Sequence, residues 1–197
     1  LLLGQFTVRH KGEKVLDLGT GQGFQAATAS DHASSVIATD INPRALTFAK
    51  LAFRINNITK VELREGSFFE PLESEKGTFD LLISNPPFVI APPHDLAAIG
   101  GKWIGDSFVQ TLIERSSEFL KEGGWANILC NWHHPTMDAW EDRPRAWIKG
   151  RNVDAWFIRL KVEDPRTYAT HWLRESAAAD AVNEEGNITN HLDTVSY

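Results

Sequence analysis

Three glycines and one acid near the start of the chain are the first residues whose spacing suggests chemistry. Residues 15–23 (VLDLGTGQG) form an apolar run that leads into a loop and then into a helical pattern. Gly19, Gly21 and Gly23 have no Cβ atom, so the backbone can turn tightly and a ligand can approach it closely. A negative Asp17 at the end of the run repels a diphosphate but suits a ligand with an ammonium group. The loop therefore predicts a ligand site, with a glycine turn tightened only for packing as the alternative.

The spacing of the loop separates it from two common nucleotide-binding loops. A dinucleotide-binding loop needs a glycine where this chain has Phe24, and a phosphate-binding P-loop needs Gly-Lys-Ser/Thr, which this loop lacks. Asp40 follows the second apolar run, 17 residues after Gly23. This is close to the offset of about 20 residues at which an acid accepts hydrogen bonds from ribose hydroxyls. The alternative for Asp40 is a helix-end acid that only complements the helix dipole.

The sequence Asn85-Pro86-Pro87-Phe88 ends the apolar run of residues 79–84. Both prolines lack N–H donors and have fixed φ angles, so their carbonyl groups point in fixed directions. Together with the Asn85 side-chain carbonyl they form a rigid set of acceptors beside the aromatic ring of Phe88. Acceptors that hold both hydrogens of a planar –NH2 group make the nitrogen lone pair available for attack on an electrophilic methyl group. A strand-terminating turn without chemistry is the alternative.

Short apolar runs alternate with helical patterns, and these elements would position the motifs. Asn42 predicts the start of a helix over residues 43–57, and Asp106 the start of another over residues 107–121 that stops before Gly123. Strand–helix alternation predicts an α/β fold with a doubly wound, mostly parallel sheet of about six strands. In such sheets ligands bind outside the carboxyl ends of the strands, where the motifs fall. The predicted strands cover residues 14–19, 35–40, 61–66, 79–84, 125–131 and 153–160.

The glycine loop, Asp40 and the Asn-Pro-Pro-Phe motif together resemble the class I S-adenosylmethionine-dependent methyltransferases of the Asn-Pro-Pro-Tyr/Phe branch. The resemblance spans about residues 14–132 in the family's order. It implies a Rossmann-like methyltransferase fold and an N-methylating enzyme with S-adenosyl-L-methionine as cofactor and S-adenosyl-L-homocysteine as product. Within the small-domain methyltransferase group, residues 85–93 (NPPFVIAPP) and 67–72 (SFFEPL) are similar to the release factor glutamine methyltransferases.

The resemblance also implies roles for individual residues. Asn85 and the Pro86 carbonyl would hold the target nitrogen, with Phe88 packing on it. Where the family usually has an acid that binds the adenine amine, this chain has Ser67, and Phe68 or the adjacent phenylalanine would compensate by stacking. The implied cofactor-binding residues are Asp17, Gly19, Thr20, Gly21, Gly23, Asp40, Ile41, Ser67, Phe68 and Asn85.

Three classes of acceptor share the motif: a glutamine side chain of a protein, an exocyclic base amine in ribosomal or transfer RNA, and a base amine in DNA. The net charge of -6 favours a protein over a nucleic acid. Residues 143–161, with six basic side chains against one acid, could nevertheless form a local phosphate-binding face. A catalytically silent cofactor-binding partner subunit is a second alternative, and the glycine spacing disfavours a nucleotide-dependent oxidoreductase.

Composition bounds the remaining possibilities. The single cysteine, Cys130, rules out an internal disulfide framework and favours the cytoplasm. The longest uncharged stretch, residues 81–94, contains four prolines, so we expect no membrane span. We also expect no metal, because the adjacent His133 and His134 point to different sides and have no third ligand at convincing spacing.

The length of 197 residues predicts one domain, or one domain with a short annex. We expect a methyltransferase domain over residues 1–161 and an acidic, helical or irregular extension over residues 162–197. The only methionine is Met137, so we expect the sequence to be a piece of a longer protein.

Overall fold

The computed structural model of the chain describes residues 2–86, 90, 105–134 and 136–176. The chain divides into two compact units, one formed by Leu1–Phe88 with Leu112–Cys130 and the other by Val89–Thr111 with Asn131–Tyr197. The predicted boundary after residue 161 stays a prediction.

A parallel sheet forms the centre of the first unit. Its five strands are ordered β3-β2-β1-β4-β5, and every neighbouring pair is parallel. This confirms the predicted α/β fold with a doubly wound sheet. The strands are β1 (Lys14–Leu18), β2 (Ser35–Asp40), β3 (Val61–Glu65), β4 (Phe79–Ser84) and β5 (Leu120–Ile128).

Helices connect these strands and continue the chain beyond them. The loop between β3 and β4 contains the 3-10 helix Glu70–Glu75, and a further short 3-10 helix covers Met137–Ala139. No helix in the described part of the chain combines the length and the apolar character that crossing a bilayer requires. The α-helices are α1 (Leu2–Phe6), α2 (Phe24–Ser30), α3 (Pro43–Ile55), α4 (Ser107–Phe119), α5 (Asp142–Ile148) and α6 (Pro165–Ser176).

The helix α3 begins and packs as its sequence predicts. The Asn42 side chain accepts a hydrogen bond from the Arg44 N–H at 3.0 Å, and Pro43 occupies the first turn, where no N–H is needed. Ala49 and Phe53 are buried against the sheet. They belong to a core cluster that covers one face of the sheet and comprises Leu3, Val15, Ala26, Ala29, Ala33, Val36, Ala38, Ala49, Phe53, Leu81 and Ile83.

An ion-pair network crosses the opposite face of the sheet. Glu75, whose side chain is 16% exposed, accepts hydrogen bonds from the Lys14 ammonium at 2.6 Å and from the Arg64 guanidinium at 2.9 Å. These two cations lower the pKa of Glu75 to about 2. The carboxylate therefore links β1 to β3 across the sheet.

Two predicted elements differ from the structure. The helix α4 ends at Phe119, and the chain enters β5 directly at Leu120, so Gly123 lies inside a strand and does not stop a helix. In β4, Phe79 pairs with Leu120 and Leu81 pairs with Trp125, so a step of two residues along β4 corresponds to a step of five along β5. The extra residues of β5 form a bulge. The glycine pair thus marks an irregular strand. Glycine pairs are found both at such irregularities and at the ends of helices.

The predicted sixth strand is wrong. Residues 153–160 are described but form no strand, so the described residues contribute five strands rather than about six. The alternating apolar side chains of this segment are open to solvent: Trp156, Ile158 and Leu160 are 84%, 59% and 52% exposed. Alternation predicts a strand only where one face is buried, and here the apolar face is not buried.

Candidate active site

The carboxyl edge of the sheet brings the predicted motifs together where the strand order reverses. β1 lies between β2 and β4, and Leu18 pairs with Thr39 on one side and with Ser84 on the other. One residue further along, the three strands lead into the glycine loop, Asp40 and Asn85. Such a reversal opens a crevice between neighbouring loops, which is the usual ligand position in open α/β sheets.

Backbone hydrogen bonds tie the glycine loop to the end of β2. The N–H groups of Gly19 and Thr20 both donate to the Thr39 carbonyl, at 2.9 and 2.8 Å. The Gly21 N–H donates to the Asp40 carboxylate at 2.8 Å. The loop is therefore held by β2 as well as by its own turn, which fixes the backbone that a ligand would approach.

The three glycines of the loop are needed for different reasons. All three have left-handed backbone conformations, with φ of 75° at Gly19, 56° at Gly21 and 86° at Gly23. A Cβ at Gly23 would lie 2.7 Å from two ring atoms of Phe53 and 3.1 Å from the Ala49 Cβ, so this glycine permits close helix packing. A Cβ at either of the other two would meet no atom within 4 Å. Those two positions therefore border open space, as a cradle for a ligand requires.

Asp17 holds the glycine loop through hydrogen bonds and does not face solvent. Its side chain is 1% exposed, and its Oδ2 accepts hydrogen bonds from the Thr20 hydroxyl at 2.6 Å and from the Ala26 N–H at 2.9 Å. Burial raises the pKa of Asp17 to about 6, although both hydrogen bonds favour the charged form, and the nearby Asp40 carboxylate raises it further. Asp17 thus links the glycine loop to the first turn of α2.

Asp40 is hydrogen-bonded to the same loop and is partly exposed. Its Oδ2 accepts from Gly21 and its Oδ1 accepts from the Asn42 N–H, both at 2.8 Å. Each carboxylate oxygen has two lone pairs, so each retains an acceptor position. Ile41 follows directly and is 41% exposed. Acceptor and apolar surface therefore lie side by side at the end of β2.

The loop after β3 joins this edge through one hydrogen bond. The Gly66 N–H donates to the Asp40 carbonyl at 3.1 Å, which places Ser67 beyond the end of β2. Ser67 and Phe68 are both partly exposed. Phe68 has a φ of 57°, a left-handed conformation that is unusual for a bulky residue and costs conformational energy. Of the two candidate stacking rings, Phe69 is fully buried, so Phe68 alone has ring surface for a ligand.

Asn85 begins the loop after β4 and is exposed, whereas Pro86 is buried. Just before it, the Ser84 hydroxyl donates to the Leu18 carbonyl at 2.8 Å. This bond locks the ends of β4 and β1 together, so the exposed Asn85 amide emerges beside the start of the glycine loop. Phe88, the third predicted catalytic residue, lies outside the described residues.

In the second unit, a tyrosine that sequence reasoning missed binds Ile90. The Ile90 N–H donates to the Tyr168 hydroxyl at 2.9 Å, and the Asn131 side-chain amide donates to the same oxygen at 3.2 Å. Ile90 and Tyr168 are 3% and 7% exposed. Nothing in the local sequence around Tyr168 signals this contact, because it joins residues 78 positions apart.

The two histidines after β5 contact different groups. His133 lies 3.2 Å from the Asp106 carboxylate through Nδ1, and that carboxylate is also held by Arg143 at 2.6 Å. His134 contacts the Thr136 carbonyl instead. Within residues 2–86, 90, 105–134 and 136–176, no three His, Cys, Asp or Glu side chains converge as metal ligands.

The arrangement at the carboxyl edge suits a nucleoside that carries a cationic group. Open backbone at two glycines, a partly exposed carboxylate and an exposed amide lie at this edge. Thr39 and Ser84 also stabilise this edge. The Thr39 carbonyl accepts hydrogen bonds from the glycine loop, and the Ser84 hydroxyl donates one to the end of β1. Sequence reasoning missed both, because their importance comes from strand register and not from a motif.

Comparison with known proteins identifies a family and several relatives. The family model of the methyltransferase small domain matches residues 1–143. A release factor glutamine methyltransferase of Aliivibrio fischeri is 36% identical over 125 residues, which cover 57% of this chain and 44% of that protein. A ribosomal RNA small subunit methyltransferase C of Salmonella arizonae is 33% identical over 133 residues, which cover 66% of this chain and 34% of that protein.

A solved structure shows the same fold. A ribosomal protein L11 methylase from Lactobacillus delbrueckii subsp. bulgaricus superposes with a TM-score of 0.50 at 24% identity, over 74% of this chain and 63% of that one. The chain spans less than half the length of the two sequence relatives. It belongs to the methyltransferase small domain family, a family of S-adenosylmethionine-dependent methyltransferases.

Proposed function

We propose that this chain transfers a methyl group from S-adenosyl-L-methionine to the nitrogen of a planar –NH2 group, with a protein glutamine side chain as the acceptor. One observation carries the proposal. The exposed Asn85 amide emerges next to the glycine loop, because Leu18 and Ser84 are paired in register and joined by a hydrogen bond. Gly19 follows Leu18 and Asn85 follows Ser84, so an acceptor for amide hydrogens lies beside the loop that fits the cofactor.

Residues at the carboxyl edge of the sheet fit the individual parts of the cofactor. The open backbone at Gly19 and Gly21 fits the methionine part, and the free acceptor positions of Asp40 fit the ribose hydroxyls. Ser67 and Phe68 are partly exposed next to Asp40 and fit the adenine. Asp17, being buried, contributes through the loop that it holds together with Thr20.

The reaction places simple demands on the protein. The bound cofactor supplies an electrophilic methyl group on a sulfonium. Asn85 and the Pro86 carbonyl accept hydrogen bonds from the two hydrogens of the acceptor amide, which frees the nitrogen lone pair and orients it. In the transfer, a nitrogen–carbon bond would form as the methyl–sulfur bond of the cofactor breaks, the nitrogen would release one proton to solvent, and S-adenosyl-L-homocysteine would be the leaving group.

Charge supports a protein acceptor over a nucleic acid. Residues 143–161 carry six basic side chains, but at least three of them are paired with acids: Arg143 with Asp106, Arg145 with Glu141 and Lys161 with Glu163. Paired cations attract phosphate less, and the whole chain has a net charge of -6. The name of the Aliivibrio relative points to the same acceptor class.

An exocyclic base amine of ribosomal RNA is the second candidate acceptor. It is favoured by the Salmonella relative, which aligns with more of this chain than the Aliivibrio relative does. The chemistry at Asn85 would be the same, since a base amine is also planar and conjugated. A silent cofactor-binding subunit is the third candidate and differs from both by lacking transfer.

One experiment separates these candidates. The protein is incubated with cofactor labelled in the methyl group and with separate pools of release factors, ribosomal RNA, transfer RNA and DNA. We expect label in the release factor pool, and label in an RNA pool would move the acceptor to a base amine. Cofactor binding without label in any pool would favour the silent subunit.

The role of Asn85 is tested in the same assay. Asn85→Ala should lower transfer by at least about 100-fold, the scale for losing one preorganised polar contact, while cofactor affinity measured by calorimetry changes only modestly. Gln5→Ala is the matched control, because Gln5 is an exposed amide of α1 in the same unit. Unchanged transfer in the Asn85 variant would remove its proposed role.

A further inference from the structure

The outer face of α3 exposes a row of apolar side chains. Phe48, Leu51 and Ile55 are 47%, 53% and 71% exposed, whereas Ala49 and Phe53 of the same helix are buried. At 100° per residue, the three exposed side chains fall within an arc of about 60°. This arc lies roughly opposite the buried face, so α3 has one apolar side for the core and a second one for solvent.

The spacing of the row fits a second α-helix. Its members are three and four residues apart, which is the a-d-a spacing of a coiled-coil seam. Arg44 lies one turn earlier, with its guanidinium 5.8 Å from the ring centre of Phe48, so its aliphatic stem extends the row.

The charge of α3 specifies the kind of helix that would bind. Arg44, Lys50 and Arg54 are its charged residues, and the helix contains no acid. A second copy of the same helix would bring like charges together across the seam, which is unfavourable. A helix with acidic residues beside its apolar stripe would instead meet opposite charges.

We propose that this seam (Phe48, Leu51 and Ile55, the α3 seam) docks an acidic amphipathic α-helix of a protein partner. Exposed contiguous apolar surface flanked by charge is typical of such recognition sites. The proposal does not rest on methyl transfer, because none of the three seam residues belongs to the candidate active site.

The test uses two synthetic helical peptides of about three heptads with leucine at the a and d positions. One peptide has glutamate at all e and g positions and the other has lysine. Like charges keep each peptide from pairing with itself. Binding to the whole chain is measured by fluorescence anisotropy. We expect the glutamate peptide to bind at least about 10-fold more tightly. The net charge of -6 makes this outcome informative, because overall attraction alone would favour the lysine peptide.

Variants locate the binding. The triple variant Phe48→Ala, Leu51→Ala, Ile55→Ala should weaken the glutamate peptide at least about 10-fold, while alanine preserves the helix. Arg54→Glu should reverse part of the preference between the peptides. Phe6→Ala is the matched control, since Phe6 is an equally exposed apolar residue on α1. Thermal melts of the triple variant and of Phe6→Ala should change little, because the replaced side chains are about half exposed or more. Arg54→Glu should melt slightly lower, because it puts an acid in the last turn of α3.

Several outcomes would overturn the proposal. Absence of binding, equal binding of the two peptides, or unchanged binding in the triple variant would each exclude a helix-docking seam of this charge. Dimerisation that the triple variant abolishes, measured by sedimentation, would assign the seam to a second copy. Adsorption to vesicles of phosphatidylcholine and phosphatidylglycerol that the triple variant abolishes would assign it to a membrane surface.

Discussion

Alanine should mainly lower the stability of the fold at Gly23 and mainly weaken cofactor binding at Gly21. At Gly23, alanine would combine a left-handed φ of 86° with a Cβ at 2.7 Å from the Phe53 ring. The conformational cost is about 1–2 kcal/mol and the cost of overpacking about 1–3 kcal/mol. We therefore expect Gly23→Ala to lower the free energy of unfolding by about 2–5 kcal/mol. At Gly21, alanine pays the conformational cost at φ 56° but meets no atom within 4 Å.

Binding should show the reverse order. The Cβ of Gly21→Ala projects into the open space that we assign to the cofactor, so it should weaken S-adenosyl-L-homocysteine at least about 10-fold, or roughly 1.4 kcal/mol. Urea denaturation gives the stability of each variant, and calorimetry gives the affinity at a temperature where both are folded. Wild-type affinity in Gly21→Ala would show that the cofactor does not use this space. Wild-type stability in Gly23→Ala would refute the packing argument.

Three further predictions concern single contacts. For Asp17, the pKa is about 6 in the folded chain against 3.8 in the unfolded chain, so the folded state binds the proton more strongly. The free energy of unfolding should therefore fall as the pH rises from 4 to 6, and this pH dependence should be weaker in Asp17→Asn. For Glu75, the pKa of about 2 against 4.5 has the opposite sign, so its contribution is present above pH 4.5 and lost as the pH falls toward 2; Glu75→Gln should cost about 1–3 kcal/mol at pH 7 in denaturant melts and little at pH 2. Tyr168→Phe leaves the buried Ile90 N–H without its acceptor, so stability should fall by about 1–3 kcal/mol and amide exchange at Ile90 should accelerate; unchanged exchange would show that the bond is not formed in solution.

The sheet could be predicted because its strands are locally encoded. The bounds of β2 and β4 match the predicted ones, and those of β1 and β3 differ by one residue. The strands of a sheet covered on both faces are nearly continuous apolar runs, and those runs end at glycine, acid or proline. The cap at Asn42 was predictable for the same reason, since its partner lies only two residues away.

The parts that could not be predicted depend on distant residues. The start of β5 is set by pairing of Leu120 with Phe79, across 41 positions, and no local pattern records that register. The segment 153–160 has the alternation of a strand but lacks burial, which sequence alone cannot report. In the site, the glycine loop and Asp40 are local motifs, whereas their connection through Thr39 exists only once β1 and β2 are paired.

Asp17 and Asp40 have the same residue type and similar positions in the sequence, but their surroundings give them different roles. Both lie near the carboxyl ends of neighbouring parallel strands, and both could be assigned to the ligand by type alone. Asp17 is 1% exposed, and its Oδ2 serves Thr20 and Ala26, so a ligand would have to break the loop to reach that oxygen. Asp40 is partly exposed and gives each of its oxygens to one backbone N–H, which orients the carboxylate and leaves acceptor positions on both. The buried acid therefore shapes the cradle, and the exposed acid is the one that can bind what the cradle holds.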